Sequence, residues 1–179
     1  MTAEMPAAAA PTVVHPAQAR RLLISGKPSV LLESLAAGGS LCIFEQSVGP
    51  KILGMPHTHR HEDQVVYVVE GEIGHRIGDQ DLFAEAGSVV FKPRGITHAL
   101  FNRTNEPARI LEITVPGRLL EYFDAVDALA RSAERPSPEV VNQLARQYGL
   151  SFEDGLIPAI EDQHGVAWPG GRRAQRPRS

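Results

Sequence analysis

Several common functions lack the residues they would need in this 179-residue chain. There is one cysteine, Cys42. An internal disulfide is therefore impossible, and without any CxxC or Cys/His finger spacing a thiolate metal site is excluded. Cys42 lies in the apolar run LCIF and reads as a buried small hydrophobe. Neither sign of charge dominates: 18 basic and 21 acidic residues leave a net charge of −3, and the basic residues are scattered except at the very C-terminus. That distribution carries neither the footprint of a nucleic-acid-binding protein nor that of a membrane-surface protein. No stretch approaches the roughly 18 apolar residues of a membrane span. The opening MTAEMPAAAAP has neither a basic n-region nor a sustained apolar h-region, so the cytoplasm is the expected location.

What is present divides the chain into four parts. Residues 1–15 are rich in Ala and Pro without periodicity, as in a disordered leader. From about Arg20 to Val115, short apolar runs recur between turn residues: RLLIS, VLLES, LCIFEQSV, QVVYVVE, EIGHRI, DLFA, SVVFK, HALFNR and RILEITV. Their length, β-branched content and punctuation predict an all-β barrel or sandwich over residues 16–116. Gly78-Asp79-Gln80 predicts a tight hairpin, and Ala86-Gly87 a turn into the next strand.

Residues 117–165 change pattern. Leu119, Leu120, Phe123, Val126, Leu129 and Ala130 recur at three- and four-residue steps, which predicts an amphipathic helix. A second helix is predicted in PSPEVVNQLARQYG, with Ser137 as N-cap, Pro138 at the first position and Gly149 just past the end. Both are expected on the outside of the barrel or against a partner. Residues 166–179 read as a solvated basic tail.

The chemistry concentrates in histidines. His57, His59 and His61 alternate just before a strand, and in extended chain alternate side chains share a face, so two of them can chelate one ion. His98 opens the strand after the Pro93–Gly95 turn, and antiparallel pairing would bring it opposite that pair. Three neutral imidazoles with an oxygen ligand and open positions suit Fe, Ni, Co, Mn or Zn as the divalent ion, in a catalytic rather than a closed structural site. His61 continues the alternate spacing and reads as solvent-facing or as supporting the ligands from behind, while His75 and His164 are lone histidines of the kind usually found satisfied at the surface or in a core.

Two stretches resemble the two cupin motifs. Gly54 (or Gly49), His57, His59, Gln64 and Gly71 follow the first, and Gly87, Pro93, Gly95, His98 and Asn102 follow the second at full spacing. The resemblance implies a jelly-roll β-barrel with a short C-terminal helical extension, a metal held by His57, His59, His98 and Gln64, and a homodimer. Where the family usually places a glutamate ligand this chain has Gln64, whose amide oxygen can ligate but carries no charge. Glu62 and Asp63 are nearby carboxylates able to substitute, Glu62 being the replacement singled out, and a bare three-histidine site is the remaining alternative.

The segments VPGRLLEYFDAV and PSPEVVNQLARQYGL resemble bacterial quercetinase-like monocupins, which are dioxygenases. A small, aromatic or polyketide-like substrate is therefore expected, with Phe44, Phe91, Leu100 and Phe101 as pocket or core residues. A metal-assisted isomerase or cyclase and a non-catalytic binding cupin are the other two readings.

Overall fold

The computed structural model describes residues 11–24, 28–34, 36–132 and 137–170. Most of the expected leader (1–10) and tail (171–179) lies outside them. The chain forms β1 (Arg20–Arg21), β2 (Ser29–Leu32), β3 (Cys42–Val48), β4 (Ile52–Leu53), β5 (His57–His59), β6 (Asp63–Glu70), β7 (Glu72–Ile77), β8 (Gln80–Glu85), β9 (Val89–Lys92), β10 (His98–Asn102) and β11 (Ala108–Val115). Then come α1 (Leu119–Arg131), α2 (Pro138–Gln147), β12 (Leu150–Phe152) and α3 (Ile157–His164). Two facing sheets result: β1-β2-β3-β11-β6-β9, and β12-β5-β10-β7-β8 with β4 beside β10. The fold is all-β, a jelly-roll with a C-terminal helical part, as the motifs imply.

Alternation decides which side chains enter the space between the sheets. On β6, Gln64, Val66 and Val68 are buried while Tyr67 between them is 40 % exposed. Val89 and Phe91 on neighbouring β9 are exposed as well, so the outer face of this doubly apolar region is open on the chain itself. The interior holds one apolar cluster that includes Val66, Val68, Ile73, Val90 and Ile110, with Ile77 and Leu100 against it. A second cluster, containing Leu22, Cys42, Phe44, Leu119, Tyr122 and Leu150, seals the end under the helices. Burial pushes the Cys42 thiol up to about 11, and its Sγ lies 2.8 Å from Thr114 Oγ1, which fits an inert packing residue.

The predicted turns and caps form where turn chemistry places them. Ile77 pairs with Gln80, leaving Gly78-Asp79 as a two-residue hairpin with Gly78 at φ 55°. Ser137 Oγ accepts the Val140 N–H at 3.3 Å at the start of α2. On α1 the buried set is Leu119, Leu120, Tyr122 and Asp127, whereas Ala130, assigned by periodicity to the apolar face, is exposed. Asp127 is buried because it accepts the Leu23 N–H at 2.5 Å and the Arg131 guanidinium at 2.7 Å.

The extension also contributes to the sheets. β12 pairs antiparallel with β5, with Leu150 opposite His59 and Phe152 opposite His57. Beyond α3 the chain expected as tail packs again: Val166 is buried with Leu53, Ala99, Phe101 and Ile160, and the Leu53 N–H donates to the Ala167 carbonyl at 3.0 Å. Two apolar residues, Val166 and Trp168, hold this segment to the barrel before the Arg-rich end begins.

Candidate metal centre

His57 and His59 leave β5 on one face, and His57 lies directly opposite His98 on β10. Residues opposed in an antiparallel pair project to the same side, so all three imidazoles meet. Ring centroids are 4.6 Å apart for His57 and His98, 4.8 Å for His57 and His59, and 5.5 Å for His59 and His98. One ring nitrogen of each lies within 4.8 Å of the others, so the set could hold a metal ion. The turn before β10 is fastened to β5: the Gly95 N–H donates to the His59 carbonyl at 2.7 Å, and the Thr58 and Thr97 hydroxyls lie 2.7 Å apart. On its other edge β5 is held by β12, through the Arg60 N–H to Gly149 carbonyl bond at 2.8 Å and the Glu153 N–H to Pro56 carbonyl bond at 2.9 Å. The strand bearing two histidines is thus clamped between the second motif and the C-terminal extension.

Two of the imidazoles are also rotationally fixed. A carbonyl can only accept, so the His57 Nδ1–H donates to the Met55 carbonyl at 2.7 Å, and the His98 Nδ1–H to the Ile96 carbonyl at 3.0 Å. His59 Nδ1 faces the carboxylate of Glu62 at 3.5 Å, a residue only 2 % exposed. In each case the remaining nitrogen is Nε2, and at His59 and His98 it is buried with no partner among the described residues. Burial, with the neighbouring His59, lowers His57 to about 3. Burial and the Lys92 ammonium hold His98 far below its ordinary value. Both are neutral near pH 7, the form that ligates. Orphaned, neutral, oriented nitrogen donors fit a divalent transition metal.

Gln64 enters from the opposite sheet, 2 % exposed, and its Oε1 is buried without a partner among the described residues. It stands between Thr114 and Lys92 in register. Glu62 lies on the Nδ1 side of His59 with its Oε2 3.5 Å away, and neither atom has a hydrogen-bond partner among the described residues. His61 is exposed. His164 is satisfied by Asp81 at 3.0 Å and by stacking on Phe101, whose ring faces α3 rather than the barrel interior. Phe44 lies in the core with Phe123 and Phe91 is 57 % exposed, so of the four apolar residues singled out from the sequence Leu100 is the one on the histidine face of β10.

Two features escape sequence reading. Lys92 is 1 % exposed and its ammonium lies 2.7 Å from the Glu112 carboxylate, which also accepts from Gln46 at 3.0 Å. Burial opposes ionisation of Glu112, but the Lys92 charge outweighs it and keeps the carboxyl below its ordinary range. Alternation offers the signal, since Val90 and Lys92 must share a face. The second feature is His75, fully buried inside the barrel with neither ring nitrogen partnered among the described residues.

The cupin-domain family profile matches residues 44–114. Solved structures share the fold: a predicted oxalate decarboxylase from Thermotoga maritima has TM-score 0.54 at 21 % identity, covering 59 % of this chain and 99 % of that one. An RmlC-like cupin from Shewanella frigidimarina has TM-score 0.51 at 22 % identity, covering 61 % and 94 %. Residues 44–114 thus carry a cupin-domain match, and the chain shares the fold of these solved structures. Among curated proteins it is similar to germin-like protein subfamily 2 member 2 of Arabidopsis thaliana, 34 % identical over 65 % of this chain and 55 % of that protein. It is also similar to the tetracenomycin polyketide synthase protein TcmJ of Streptomyces glaucescens, 30 % identical over 42 % of this chain and 50 % of that protein. The chain thus spans about half the length of these relatives. Among the described residues no helix is long and apolar enough to cross a membrane.

Proposed function

We propose that this chain is a metal-dependent cupin enzyme acting on a small aromatic or polyketide-like organic molecule, by dioxygenation of the quercetinase kind. The observation that carries the metal-enzyme reading is the converging trio of imidazoles, two of them fixed by Nδ1–H bonds to backbone carbonyls so that Nε2 is left for an ion. One divalent transition metal, Fe, Ni, Co, Mn or Zn, would be held by His57, His59 and His98 with the Gln64 amide oxygen as fourth donor. Such an ion, when bound, polarises a substrate oxygen and favours its ionised form. Glu62 would sit behind His59, on its Nδ1 side, and orient that ring toward the ion. Val66 and Leu100 bring apolar surface to the same interior and exclude water from it.

A second reading, metal-assisted cyclisation or isomerisation, is favoured by Gln64, which makes a ligand carboxylate unavailable, and by the similarity to TcmJ. A flavonol panel in an oxygen electrode separates the two. Oxygen uptake with carbon monoxide release is expected for the dioxygenase. Turnover that proceeds equally well without oxygen overturns it in favour of the second reading.

A further inference from the structure

Opposite His98 on the neighbouring strand stands Ile77, and two residues along stands His75, opposite Leu100. All four project to one face, so His75 looks into the same interior as the metal-ligand set, displaced along the strand by about 7 Å. It lies outside the cluster whose ligand atoms are mutually within 4.8 Å. Ile73 and Ile77 flank it in the apolar cluster, yet both of its ring nitrogens are buried and unpartnered among the described residues. An imidazole left this way is destabilising if it only packs.

From this geometry we infer that His75 is a second anchor for the substrate, hydrogen-bonding a hydroxyl or carbonyl oxygen remote from the one that meets the metal. The inference rests on the metal-enzyme reading and narrows its substrate class. The molecule carries a chelating oxygen pair at one end and a further neutral oxygen function across the ring, on the order of 7 Å away by strand spacing. A carboxylate suits the position less, because Glu112 already neutralises Lys92.

Kojic acid and allomaltol supply a matched pair of probes. Both chelate through a hydroxypyranone, and they differ by one hydroxyl across the ring. Titration calorimetry on the metal-loaded protein is expected to show kojic acid binding about five- to tenfold tighter, the worth of one hydrogen bond. His75→Phe is expected to erase that preference while leaving allomaltol affinity and metal content unchanged. His75→Gln, which keeps a donor and an acceptor, restores part of it. A preference that survives His75→Phe, or is absent from the wild type, overturns the inference. Loss of metal in His75→Phe makes His75 a ligand and overturns it too. Wild-type protein that takes up no metal sinks the enzyme reading instead. The same kojic acid preference is then measured on the metal-free protein, and its absence there overturns the anchor as well.

Discussion

In the proposed site a glutamine, Gln64, stands where a glutamate ligand would otherwise be, and the carboxylate of Glu62 faces a ligand imidazole instead. Gln64 offers an uncharged oxygen to the interior, and Glu62 stands behind His59. Gln64→Glu adds a negative charge beside a dication and is expected to tighten metal binding at least about tenfold. Unchanged affinity in a competition titration would mean that Gln64 does not touch the ion. Glu62→Gln is expected to weaken binding by about ten- to a hundredfold by loosening the His59 ring, with loss read by the same titration. The buried histidines also set a pH dependence. His57 and His75 are lowered to about 3 from the ordinary 6.5, so between those values the unfolded chain binds more protons than the folded one. Stability of the metal-free protein therefore falls as pH drops from about 6.5, by up to about 1.4 kcal/mol per unit for each such histidine. Melting at pH 7 and pH 5 checks this: a lower Tm at pH 5 is expected, with a smaller drop in His75→Phe. An equal drop in both proteins would mean that His75 is not held neutral by burial.

Strands and helices serve the site by clamping β5 from both sides. On the far face of β10, Phe101 fills the space that a side chain at position 74 would occupy; a Cβ there would come within 2.3 Å of the ring. Gly74→Ala must push Phe101 against His164 and is expected to cost about 1–3 kcal/mol by urea unfolding. A neutral result would show that α3 yields freely. The long strands and two of the helices were legible in the sequence because alternation and capping residues mark them. β12 was not, since three residues after a helix carry too little pattern, and only pairing with β5 makes Leu150–Phe152 a strand. The histidine trio was legible from spacing. Lys92 was not, because a lysine is tolerable inside the barrel only through Glu112, twenty residues further on.

Across the whole molecule, a polar layer lies between two apolar clusters, one against the helical end and one deeper in the barrel. The polar layer comes from both sheets: His57, His59, His75 and His98 from one, and Gln46, Gln64, Lys92 and Glu112 from the other. Such a layer is costly to bury and is best explained by an ion and a substrate that complete it. Metal analysis of protein purified without chelators tests this most directly. About one equivalent of a divalent transition metal is expected in the wild type, and under about a tenth in the His57→Ala/His59→Ala double variant. A correctly folded wild type that holds under about a tenth of an equivalent, and takes up none of Fe, Ni, Co, Mn or Zn when they are supplied, would contradict it.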